Sequence, residues 1–146
     1  MKKKICILVG YGYWGKKIYP SLISHFNVKK IFRSSDRMQD IFFENIDWAF
    51  IITPEKTHYN LVSFFLKKKI NVFCEKPLTN DIKKDNELFK LAKKNKCKLY
   101  VSDIENFKKI KIKLKTKNKI IRSKFSNNKK RILDRLAYHD FTYLYK

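Results

Sequence analysis

Ile5-Cys6-Ile7-Leu8-Val9-Gly10-Tyr11-Gly12-Tyr13-Trp14-Gly15 is the stretch that decides how the rest of the chain is read. Five apolar residues of strand type run into a G-x-G-x-x-G turn. Ile18, Leu22, Ile23 and Phe26 then recur at helical spacing. A lone glycine pattern is weak, but strand, turn and amphipathic helix in this order give it a mechanism. The glycines let the backbone turn sharply and approach a pyrophosphate, whose charge settles against the unpaired N–H groups of the helix N-terminus.

The same alternation continues downstream. Strand-like runs at 28–32, 48–52, 72–74 and 98–101 are separated mostly by helical patterns, which predicts an α/β, doubly wound parallel sheet. One helix carries Leu61, Val62, Phe65 and Leu66 on a single stripe, with Thr57 as its cap and Lys67, Lys68 and Lys69 where cations suit a C-terminus. Another runs from about Asp81 to Lys94, with Leu88, Leu91 and Ala92 inward and Asn80 or Thr79 as its cap. The dinucleotide-binding domain is predicted over 1–103. Past it the texture changes: 108–131 holds twelve Lys/Arg and no acid, with alternation at Ile110, Ile112 and Leu114 and a second run at 120–125. A short α+β extension over 104–146 is expected, a strand pair followed by a helix with Leu133, Leu136, Ala137, Phe141 and Leu144. Too little protein covers its apolar face, so docking or a homo-oligomer is expected.

At 146 residues the chain has room for one domain and a fragment of a second. With 44% hydrophobic and 15% aromatic residues it is globular in composition despite 33% charge. A net charge of +22, from 35 basic and 13 acidic residues, raises the question of a polyanion partner. Only five of the 35 are Arg, the residue suited to bidentate phosphate contacts, and lysine is spread along the whole chain. Nucleic acid is therefore an unfavoured partner. Cys6, Cys74 and Cys97 show no C-x-x-C spacing, fall within predicted strands and read as buried free thiols of a reducing, cytoplasmic compartment. The apolar run after Lys2-Lys3-Lys4 stops at Gly10 without a cleavage site, and no stretch approaches the roughly 18 residues that span a bilayer, so no membrane is expected. No cluster has metal-ligand spacing.

Two further patterns follow the glycine turn in order. Thr53-Pro54-Glu55-Lys56-Thr57-His58 gives T-P-x-x-x-H, and Val72-Phe73-Cys74-Glu75-Lys76-Pro77 gives strand then E-K-P. With them the chain resembles the Gfo/Idh/MocA family of NAD(P)-dependent oxidoreductases from about residue 3 to 101. The segment Leu136-Ala137-Tyr138-His139-Asp140-Phe141 is similar to the family's H-D segment in the substrate domain.

The resemblance implies a Rossmann cofactor domain followed by a short piece of a substrate domain, and hydride exchange between nicotinamide and a secondary hydroxyl of a sugar or polyol. It implies that Gly10, Gly12 and Gly15 bind the pyrophosphate with Tyr13 and Trp14 shaping the turn. Thr53, Pro54 and His58 would line the cofactor toward the nicotinamide, and Glu75 and Lys76 would sit where nicotinamide meets substrate. Lys76 also has independent support, because open α/β sheets bind ligands at the carboxyl ends of their strands, where partial desolvation favours the neutral amine that proton transfer needs. His139 is the second candidate for proton transfer, with Arg135 standing where the family often carries a carboxylate. His58 itself reads as a helix-start packing or hydrogen-bonding residue. At the end of the second strand, Arg33-Ser34-Ser35 suit a 2′-phosphate better than a 2′-hydroxyl, which favours NADP over NAD, with Asp36 close by. The alternatives from other classes are a noncatalytic nucleotide-binding remnant and a basic polyanion-binding protein.

Overall fold

In the computed structural model the described residues are 2–36 and 43–102. They form five parallel strands in the order β2-β1-β3-β4-β5: β1 Ile5–Val9, β2 Asn27–Phe32, β3 Trp48–Ile51, β4 Asn71–Cys74 and β5 Leu99–Val101. Parallel strands covered on both faces must be apolar throughout, not at alternate residues. Cys6, Ile7, Leu8 and Val9 are accordingly all buried, as are Ala49, Phe50 and Ile51. The edge strand β2 shows the opposite texture, with Asn27, Lys29 and Lys30 exposed. Charged side chains on an edge discourage pairing with another chain.

Three helices wrap the sheet: α1 Tyr13–His25, α2 His58–Lys67 and α3 Ile82–Lys94. On one face Ile7, Val9, Ala49, Ile51, Val72 and Cys74 meet Val62, Phe65 and Leu66 of α2 and Leu88 and Ala92 of α3. On the other, Cys6, Leu8, Phe50 and Ile52 meet Leu22 of α1. The sheet is thus an α/β Rossmann fold with helices on both faces. The chain runs outward from β1 to β2, then back past β1 to β3, so the carboxyl ends of β1 and β3 flank the point where strand order reverses. That crevice is where such sheets take their ligands.

Local expectations needed four corrections. The cap of α3 is Asp81, whose carboxylate accepts from Lys83 N at 2.8 Å; Thr79 instead accepts from Asp81 N at 3.0 Å and donates to Asp85 at 2.6 Å. Thr57 precedes α2 without a side-chain capping bond, because its hydroxyl donates to Pro54 O at 2.7 Å. Ile23 is exposed, since α1 buries Leu22 and leans on Ile18 and Phe26 instead. Cys97 lies in the turn before β5, whereas Cys6 and Cys74 are in strands. The strand pair and terminal helix expected over 104–146 lie outside the described residues.

Candidate functional site

The three glycines of the turn do different things. Gly10 has φ +97°, and a Cβ there would stand 2.3 Å from Ile52 O, so this position serves the close approach of the β1 turn to the end of β3. Gly15 is closed as firmly: its Cβ would lie 2.1 Å from Gly10 O, where α1 packs on the turn. Gly12 is the exception, with no atom within 4 Å of a Cβ built on it. The fold does not require glycine at that position. Open space there is what a bound pyrophosphate would use.

Beyond Gly12 the chain enters α1. Gly12 is its cap, without a side-chain cap hydrogen bond, and no acid occurs in its first turn. The helix α3 shows the contrast, carrying Asp81 as cap and Asp85 in its first turn. A positive helix end left without its own carboxylates is suited to an anion from outside. Tyr13 and Trp14 stand on the rim, 69% and 57% exposed, with rings 5.4 Å apart in an edge contact and the Lys17 ammonium over both.

The end of β2 comes to the same turn. Gly10 N donates to Phe32 O at 2.9 Å, and the Arg33 guanidinium lies 5.6 Å from the centre of the Tyr11 ring. That cation–π contact holds Arg33 beside the glycine turn. Ser34 and Ser35 are exposed next to it. Asp36 folds back on its own turn, one carboxylate oxygen accepting from Arg33 N at 2.8 Å and the other from the Ser35 hydroxyl at 3.3 Å.

At the ends of β3 and β4 two turns meet over one histidine. Pro54 begins a short 3-10 turn, Glu55–Thr57, that leads into α2. Because Thr57 spends its proton on Pro54 O, the Thr53 hydroxyl donates to Thr57 Oγ1 at 2.7 Å. His58 is 1% exposed, with Nε2 2.9 Å from Thr53 O and Nδ1 2.8 Å from Pro77 O. Both partners are backbone carbonyl oxygens. From the β4 side, Glu75 N donates to Ile51 O at 2.9 Å, and Lys76 and Pro77 follow, half-buried, across a cis peptide bond.

The turn glycines, Arg33, Ser34, Thr53, Pro54, Glu75 and Lys76 therefore all stand at the carboxyl ends of β1, β2, β3 and β4. His58 stands beneath them, bonded to backbone on both sides. His139 lies outside the described residues. Two contributors went unread in the sequence. Tyr11 was passed over although an aromatic inside the glycine turn is a flag for a stacking partner, and Pro77 O carries no side-chain signal at all.

Comparison with known proteins bears on family and fold. A family model described as "Oxidoreductase family, NAD-binding Rossmann fold" matches residues 22–103, beginning after the glycine turn. The uncharacterized oxidoreductase YgjR of Escherichia coli is 32% identical over 75 residues, 51% of this chain and 22% of that protein. Among solved structures, YvaA of Bacillus subtilis superposes with a TM-score of 0.67 at 19% identity, over 72% of this chain and 36% of that one. Myo-inositol 2-dehydrogenase of Lactobacillus plantarum gives 0.62 at 20% identity, over 74% and 38%. These two likenesses are of fold. The chain spans about a fifth to two fifths of the length of these relatives.

Proposed function

The chain belongs to the Gfo/Idh/MocA oxidoreductase family with its NAD-binding Rossmann fold, and from that premise we propose that it binds NADP in preference to NAD and serves hydride transfer at a secondary hydroxyl of a sugar or polyol. The observation that carries the cofactor half is Gly12, the one glycine of the turn that the fold leaves open, in front of a helix without acids or side-chain caps. Arg33, held beside that turn by Tyr11, supports a 2′-phosphate, and Asp36 has both carboxylate oxygens engaged by its own turn. The substrate class follows the resemblance carried by the T-P-x-x-x-H and E-K-P motifs.

Each residue then has a task. Gly10, Gly12 and Gly15 admit the pyrophosphate to the helix end, with Tyr13 and Trp14 shaping the rim, and Arg33 and Ser34 hold the adenosine side. Thr53, Pro54 and Glu75 set the far end. What the cofactor supplies when bound is a two-electron hydride acceptor. Lys76 Nζ handles the hydroxyl proton, with His139 as its second acceptor, so that the carbinol becomes a carbonyl as hydride leaves the same carbon.

The test begins with titration of purified protein by NADPH and NADH. Arg33→Ala should cost about 1.5–3 kcal/mol of NADPH binding, the range for a hydrogen bond to a charged group, and leave NADH almost unchanged. Equal losses remove Arg33 from the 2′ site. In turnover against a panel of sugars and polyols, Lys76→Ala should lower the rate by roughly 10²–10⁴, as for a positioned acid or base. Undiminished turnover would make the E-K-P turn structural.

A further inference from the structure

We propose that His58 is a positioning residue that ties the Thr53-Pro54 turn to the Lys76-Pro77 turn, and so sets the nicotinamide end of the site without touching the cofactor. This rests on the function proposed above. Its ring is buried, and its two nitrogens reach backbone carbonyls that are 24 residues apart in sequence, Thr53 O after β3 and Pro77 O after β4. Nothing of the imidazole is left to meet a ligand. Both carbonyls belong to turns that carry site residues: Thr53 and Pro54 on one, Lys76 on the other.

Among the described residues, His58 is bonded to both of these turns. Glu75 N to Ile51 O continues the strand ladder and stops before Lys76. The Thr53 and Thr57 hydroxyls pin the first turn to itself. Past the last ladder bond, the His58 imidazole bonds both turns. A side chain at the first position of α2 is well placed for this, because a helix start is held rigid by the helix behind it and by Val62 and Leu66 in the core.

Two substitutions divide the tie. An asparagine amide nitrogen reaches about where Nδ1 stands, and a glutamine amide nitrogen about where Nε2 stands, so each keeps one bond and gives up the other. His58→Asn should speed amide hydrogen exchange over 53–57 and spare 76–81; His58→Gln should do the reverse. Either variant should weaken NADPH and NADH about three- to tenfold, the worth of one neutral hydrogen bond. Affinity for the fragments 2′,5′-ADP and 5′-AMP, which lack nicotinamide, should stay within about twofold, since only the far end is disturbed. A purely structural histidine would weaken fragment and dinucleotide alike, or loosen both turns together, and either result overturns the proposal. Wild-type protein that bound no dinucleotide would sink the proposed function and the cofactor half of this inference. The exchange pattern would still uphold or overturn the tie itself.

Discussion

At the scale of single residues, the glycine turn separates what the fold needs from what a ligand needs. Gly10 and Gly15 face backbone oxygens at 2.3 and 2.1 Å from a built Cβ, and backbone does not move aside. Gly15→Val should therefore cost more than about 3 kcal/mol in urea unfolding, as overpacking against fixed neighbours does. Gly12→Val, in open space, should stay within about 1 kcal/mol of wild type and yet lose dinucleotide binding. A folded Gly12→Val protein with wild-type affinity would end the dinucleotide reading. The buried thiols make a second residue-scale prediction. Burial pushes the Cys6 thiol up to about 11 and Cys74 higher still, with Glu75 adding to the latter. A proton held more tightly in the folded state stabilises fully below the unfolded thiol value, near 8.5, and is lost as pH rises through the folded one. Between pH 8.5 and 11 the wild type should lose on the order of 2 kcal/mol more stability than Cys6→Ala, read from paired melts. Parallel pH curves would mean that the Cys6 thiol ionises no harder in the folded state.

At the scale of elements, both α2 and α3 end in the same device, and neither uses glycine for it. Lys69 N bonds Leu66 O and Ile70 N bonds Phe65 O after α2; Lys96 N bonds Lys93 O and Cys97 N bonds Ala92 O after α3. These are Schellman closures, with Lys69 at φ 59° and Lys96 at φ 55° in the left-handed position. A lysine there gives up part of the stability that glycine would keep. Lys69→Gly and Lys96→Gly should each raise stability by about 0.5–1 kcal/mol in urea melts. A drop would show that the lysine side chains repay the strain through contacts of their own. At the opposite end of α3, Asp81→Ala should lose about 1 kcal/mol, while Asn80→Ala should change little. The sequence reading placed that cap one or two residues early. Thr79, Asn80 and Asp81 are all capping types, and only the chain's path after the Pro77 turn selects among them.

For the whole molecule the governing number is +22. Like charges spread over so small a fold repel, and salt screens them within about 10 Å at 0.1 M, so the melting temperature should rise as NaCl goes from 10 to 500 mM. A falling melting temperature would mean that the few acids hold more stabilising pairs than the lysines hold repulsions. The layout that carries those charges was largely legible in the sequence. Buried parallel strands must be apolar throughout and helices apolar on one stripe, so β1 through β5 and α3 could be read from local pattern to within a residue or two, and α1 and α2 were located by their apolar residues. The order of the glycine, T-P-x-x-x-H and E-K-P motifs named the family, and with it an NAD-binding Rossmann fold. What the sequence could not supply was contact between segments distant along the chain. Whether a glycine is closed by Ile52 O or left open, whether Arg33 rests on Tyr11, and whether His58 spans Thr53 O and Pro77 O depend on where separate strands end in space. Residue types and spacing carry periodicity and motif, whereas those distances exist only once the sheet has brought the ends of β1, β2, β3 and β4 side by side.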